Sequence, residues 1–151
     1  MKRLVTLCLL MASAVIFTAN AKNKELKTIV DNGNKANLEV VDISGDINGD
    51  IAYFHKIVKK EKFNRLIFVE NKKDADLTCR MTLERIGSGL TFAPRIKAYI
   101  EIITPDGKVV WKSKDHKGEA TEFTGFNAYN DAIRRIVRRA LEKEFIKQVG
   151  K

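Results

Sequence analysis

Leu77-Thr-Cys79-Arg-Met81-Thr-Leu83-Glu84 is the stretch from which the fold can be read. Leu77, Cys79, Met81 and Leu83 fall on one side of an extended chain, and Thr78, Arg80, Thr82 and Glu84 on the other. That is the period of a strand with one buried and one wet face, and it assigns Cys79 to the core. Downstream, Gly87-Ser-Gly-Leu-Thr-Phe-Ala-Pro94 breaks the pattern as a loop. Ile96, Ala98, Ile100 and Ile102 then resume it against Lys97, Tyr99 and Glu101. Thr104-Pro105-Asp106-Gly107-Lys108 is a hairpin turn, because proline presets φ and glycine accepts the left-handed position. Residues 109–114 are therefore expected to return antiparallel.

Upstream, Leu38 to Ser44 is short and β-branched and reads as a strand. Ile51, Phe54, Ile57 and Val58 recur at helical spacing after the capping side chains of Asp46 to Asp50, predicting a helix over 48–62. Arg65 to Glu70 is a compact apolar strand and Asn71 to Asp74 a turn. At the far end, Asn127 caps a long helix reaching Gln148, in which Tyr129, Ile133, Val137, Leu141 and Phe145 repeat every four residues. Strands with one wet face need helices on the other. The expected fold is therefore α+β, a two-layer sandwich of a mostly antiparallel sheet of four to five strands with two helices on one face.

The N-terminus reads as an export signal. Met1-Lys2-Arg3 precedes an apolar run from Leu4 to Phe17, and Ala19-Asn20-Ala21 supplies a small-x-small cleavage site. The run is too short to serve comfortably as a transmembrane helix, which needs roughly 20 residues. Cys8 follows Leu7 rather than a small residue, against a lipid anchor. The expected divisions are a signal peptide over 1–21, a polar leader or edge strand over 22–35, and a single α+β domain over 36–151. Cleavage after Ala21 makes the protein periplasmic or secreted, with no transmembrane segment left. It also leaves Cys79 as the one cysteine, so no intramolecular disulfide can form and a packed core must supply the stability.

The 151-residue chain carries a formal charge of +9, which falls to +7 when Lys2 and Arg3 leave with the signal. A positive field outside the cytoplasm draws a domain toward anionic lipid, glycan or acidic protein. Arg134, Arg135, Arg138 and Arg139 form two i, i+4 pairs on the last helix and are the expected anion- or partner-binding stripe. Asp131, Glu142 and Glu144 temper that stripe. Leu90 and Phe92, among glycines, form an expected flap able to offer two apolar side chains to a partner. Nucleic acid fits the charge, but the compartment and the lack of a binding motif argue against it.

Catalysis and metal binding find poor support in the residues. Asp42-x-Ser44-Gly45-Asp46-x-Asn48-Gly49-Asp50 has the alternate oxygen ligands of a calcium loop. Counted from Ser44 the twelfth position is His55, and counted from Asp46 it is Ile57, instead of a bidentate glutamate. The segment reads better as carboxylates at a helix N-terminus. Cys79 alternates with core residues, and neither His55 nor His116 lies near it in sequence. No catalytic residue, metal or cofactor is expected.

Asp74-Ala-Asp-Leu-Thr-Cys79, which follows a helix and the strand Leu66-Ile-Phe-Val69, together with Pro105-Asp106-Gly107 and a closing helix, resembles small envelope domains of the TolB N-terminal and curli-secretion-lipoprotein type. The resemblance spans residues 38–148 and implies a non-catalytic accessory module that binds other envelope proteins. It supplies no site residues, and this sequence has neither a lipobox nor a following propeller or barrel segment. The expected function is thus an exported binding or assembly-accessory module docking on an envelope protein through the sheet face, an edge strand or the basic helix. The alternative is a binder of anionic lipid or glycan surfaces through the C-terminal helix. The sequence leaves the oligomeric state and the partner's identity open.

Overall fold

A computed structural model describes residues 23–42, 46–88, 94–120 and 127–150. In chain order these form helix α1 (23–32), strand β1 (Lys35–Asp42), helix α2 (Ile47–Glu61), strand β2 (Ile67–Val69), a single 3₁₀ turn (Lys72–Asp74), strands β3 (Leu77–Ser88), β4 (Pro94–Ile103), β5 (Val109–Lys112) and β6 (His116–Glu119), and the C-terminal helix α3. The fold is α+β, as expected, with six strands in one mixed sheet and three helices. The strand order is β2-β1-β3-β4-β5, and β6 pairs with β4 on the same edge as β5.

The alternation over 77–84 sets this architecture. Cys79, Met81 and Leu83 are fully buried, and so are Ile96, Ala98, Ile100 and Ile102 on β4. Leu38 and Val40 on β1 complete the apolar face. Phe54 and Ile57 of α2 and Ile133, Ile136, Val137, Leu141 and Phe145 of α3 enter the same buried cluster. Trp111 of β5 meets Phe145 edge-on at a ring separation of 5.1 Å. The other side of the sheet keeps its polar residues partly in solvent.

Three features go beyond the expected layout. Residues 23–32, expected as a leader or edge strand, are a helix. Leu26, Ile29 and Val30 share one face at helical spacing, and Leu26 and Val30 are buried in the common core. Strand β1 runs parallel to both β2 and β3, which the crossover through α2 requires, so the sheet is more mixed than the expected antiparallel one. Finally, the return strand expected over 109–114 ends at Lys112, and a further strand, β6, follows after a break. Ser113 occupies the break: its Oγ accepts from the Ile100 N–H at 3.0 Å and its own N–H donates to the Ile100 carbonyl at 2.9 Å. The side chain thus stands in for a ladder carbonyl, and the chain resumes pairing as β6.

Asp76 explains why the Ala75-Asp76-Leu77 entry matters. Its carboxylate accepts from the Lys35 N–H at 3.0 Å, and its N–H donates to the Lys35 carbonyl at 2.8 Å, so the starts of β1 and β3 are clasped together. The expected turn over Thr104–Lys108 closes through Gly107 N–H to the Thr104 carbonyl at 2.9 Å, with Gly107 at φ 85°.

Helix α3 starts at Ala128, capped by the Asn127 side chain, which accepts from the Asn130 N–H at 3.1 Å. From Ile136 to Phe145 it is wound wider, with bonds five residues back, as from the Ile146 N–H to the Leu141 carbonyl. Side chains spaced by four drift about 40° per step on an ideal α-helix of 3.6 residues per turn. Wider winding reverses the sense of that drift, and Ile133, Val137, Leu141 and Phe145 all stay buried.

The helix lies close to β6 because Gly118 has no side chain. A Cβ there would stand 2.3 Å from the Ala128 carbonyl oxygen and 2.5 Å from the Ala132 nitrogen, both backbone atoms. Gly118→Ala should therefore destabilise the protein by about 1–3 kcal/mol or more, the usual range for overpacking. Urea unfolding measures this, and an unchanged midpoint would contradict the contact.

Candidate binding surfaces

The arginine stripe is divided between two structural tasks. Asp131 is 1% exposed in the first turn of α3. Its carboxylate accepts from Arg134 at 2.7 Å, from Arg135 Nε at 2.9 Å and from the Glu119 N–H of β6 at 3.2 Å. Burial alone would raise this carboxyl. The Arg134 and Glu119 hydrogen bonds and the nearby Arg135 charge more than offset it and hold the group below the usual carboxylate range. Arg138 reaches the other helix, donating to Glu61 Oε1 of α2 through two nitrogens at 2.8 and 2.6 Å. Arg139 is exposed. Three of the four arginines are thus clamps within the fold: Asp131, close in sequence, holds two, and Glu61, which lies on a separate element where sequence spacing could not show it, holds the third.

Positive charge gathers instead at the end of α3. A cleft of about 520 Å³ is lined by Asn23, Lys112, Lys114, Lys143, Glu144, Lys147 and Gln148. Glu144 is already engaged. One oxygen accepts from the Lys114 N–H at 3.0 Å, and the other lies 3.1 Å from His116 Nε2. Burial pulls His116 below its ordinary range; Glu144 works against that and Arg139 with it. Lys143 and Lys147 are spaced i, i+4 on the helix, and this spacing was the available sequence signal for the cleft.

The uncovered sheet face is patterned. Glu39, Arg80, Glu101 and Lys112 lie in one register row across β1, β3, β4 and β5. Arg80 pairs with Glu39 at 3.2 Å and Lys112 with Glu101 at 3.1 Å. The Lys112 ammonium also sits 3.7 Å above the Tyr99 ring. Val41, Thr82 and Tyr99 form the next row, and Glu84 and Lys97 a third, with a 2.5 Å ion pair. Val41 and Ile86 are more than two-fifths exposed.

Asp50 is the strongest electrostatic anomaly. It is 6% exposed on α2. Burial, hydrogen bonding with Asp42, and the charges of Asp42 and Asp46 push its carboxyl up to about 8. Among the described residues no group of three His, Cys, Asp or Glu side chains is arranged to hold a metal. The Asp46 side chain accepts from the Gly49 N–H at 3.3 Å as the helix cap. Residues 43–45 of the calcium-like stretch lie outside the described residues, as do the Leu90 and Phe92 flap and the signal segment. Cys79 is fully buried and its thiol is pushed up by burial. His55 meets Phe54 and Phe68 edge-on at 5.9 Å.

No family model matches the sequence, and no curated protein matches it. Among solved structures, a variant PelC dodecamer from Paraburkholderia phytofirmans is similar at a TM-score of 0.48 and 12% identity, covering 70% of this chain and 86% of that one. A second PelC dodecamer structure from the same organism is similar at 0.46 and 14%, with the same coverage.

Two outcomes follow from this geometry. Asp50 holds a proton in the folded state between about pH 4 and 8 that the unfolded chain has released, so its contribution to stability falls as pH rises through that window. Asp50→Asn should accordingly gain stability relative to the wild type as pH is raised from 5 to 8, read as a growing difference in Tm; a difference independent of pH would contradict this. Asp131→Ala leaves the Glu119 N–H and two guanidinium groups without their acceptor and should cost about 2–3 kcal/mol in urea unfolding. Arg138→Ala, at an exposed pair, should cost less than about 1 kcal/mol, and equal losses would contradict the division of the stripe.

Proposed function

We propose that this chain is an exported, non-catalytic docking module of the bacterial cell envelope that binds another envelope protein through its uncovered sheet face. The observation that supports this most is the one-sided sheet. The helices enter the core beneath it, while the other side presents Tyr99, Val41 and Ile86 among cross-strand ion pairs. An aromatic side chain with apolar neighbours and a polar surround is the composition of a protein interface. The export reading rests on the N-terminal sequence of residues 1–21. Among the described residues no helix is long and apolar enough to cross a membrane.

A second reading has its own support in the lysine-lined cleft. Lys114, Lys143 and Lys147 surround a Glu144 that is already hydrogen-bonded, which suits an anionic headgroup or glycan. This moves the anion-binding role from the arginine stripe to the end of α3.

The two separate by salt and by substitution. Capture from a solubilised envelope fraction should retain a discrete protein at high salt, and Tyr99→Glu should abolish that capture while Lys114, Lys143 and Lys147 to Ser should not. Binding to phosphatidylglycerol vesicles but not phosphatidylcholine vesicles, lost with the lysines or on adding salt, would replace the first reading by the second. Capture unaffected by Tyr99→Glu would overturn the assignment of the face.

A further inference from the structure

The row Glu39, Arg80, Glu101, Lys112 alternates in sign as minus, plus, minus, plus across four register-aligned strands. Such a row is its own complement when read backwards. A two-fold axis lying between two facing sheets, parallel to the strands and midway between β3 and β4, sets each row on its own reversed copy. Glu39 then faces Lys112 of the second copy, and Arg80 faces its Glu101. The same axis treats the neighbouring rows consistently, since Thr82 faces Tyr99 and Glu84 faces Lys97. Every position in the β3–β4 block meets either an opposite charge or a neutral side chain.

From this we propose that the first occupant of the uncovered face is a second copy of this chain, packed sheet to sheet as an isologous dimer. The proposal rests on the docking reading above for its surface and gives that surface a second copy of this chain as its first occupant, ahead of any other envelope protein. Charge balance supports it. The chain as a whole carries +9, yet the seven charged side chains of these rows are three acids, Glu39, Glu84 and Glu101, and four bases, Arg80, Lys97, Lys112 and Lys117, a net of +1. Lys117, next to Lys97 on β6, lies at the flank of the block. Two basic copies therefore meet where most of their charge is balanced. Sheets packed face to face sit about 10 Å apart, within reach of long charged side chains from both sides.

Size sets the strength. Four strands at about 4.8 Å spacing and eight residues at about 3.4 Å rise offer on the order of 500 Å² per copy. Together that is about 1,000 Å², the lower bound for a specific interface, so the dimer is weak and salt-sensitive.

The test is sedimentation equilibrium of the purified protein, of Arg80→Glu and Glu101→Arg separately, and of their equimolar mixture. Arg80→Glu sets two acids against each other across the axis twice, and Glu101→Arg does the same with two bases. Each alone should dimerise about ten-fold more weakly, or worse. The mixture restores an opposite charge at all four positions and should regain a heterodimer at least as tight as the wild type. No role confined to one copy predicts that rescue. Circular dichroism checks that both variants are folded, and the salt dependence of the unsubstituted protein tests the proposal without them. A monomer at every concentration, a dimer indifferent to both substitutions, or a mixture that stays monomeric would each overturn it. A monomer that still captures an envelope protein through Tyr99 would overturn self-pairing alone. A dimer that captures nothing would overturn heterologous docking and leave self-pairing standing.

Discussion

Strand β3 is hydrogen-bonded on both edges, parallel to β1 over residues 77–83 and antiparallel to β4 over most of its length. A strand held on both sides cannot rotate or slip, because a shift of one residue would exchange its buried and exposed sets. With Cys79, Met81 and Leu83 locked inward, Arg80, Thr82 and Glu84 are locked outward. That single constraint decides which side the helices cover and gives the open face a fixed register, so its charges form rows instead of a scatter.

On the covered side, contact is close where side chains are small and ionic where they are long. Gly118 against Ala128 and Ala132 lets α3 approach β6 to backbone distance, and Asp131 then ties the helix start to the Glu119 N–H. Glu144 repeats the device further along, holding the Lys114 N–H beside the break between β5 and β6. Arg138 joins α3 to α2 through Glu61. These contacts turn a basic, amphipathic helix into part of the scaffold. The same chemistry that suggested an anion-binding stripe supplies the partners that neutralise most of it.

Much of the fold was legible because period two and period four are local signals. The strands around Cys79 and Ile100, the turn at Pro105-Asp106-Gly107, the Asn127 cap and the two main helices follow from spacing and turn chemistry. Residues 23–32 were obscured by the polar side chains around Leu26 and Val30, whose burial depends on a core assembled by distant strands. Strand β6 is only four residues with a central glycine, which reads as loop until Ala128 and Ala132 are seen to need the space. The widened turns of α3 carry no proline or glycine to announce them. At the level of sites, the arginine spacing and its near acceptor Asp131 were visible, but Glu61, 77 residues away, was not. The alternating row on the open face needs four strands in register and is invisible to any single segment.

The central claim is that adjacent residues of β3 live in opposite environments, one sealed under helices and one open to solvent or partner. Thiol labelling of the folded protein at high dilution tests it directly, comparing native Cys79 with an added cysteine in Thr82→Cys. The account predicts that Cys79 stays silent until global unfolding while the cysteine introduced at position 82 reacts at the rate of a surface thiol. Rapid labelling of Cys79 in the folded wild type, or protection at position 82 in the dilute variant, would contradict it.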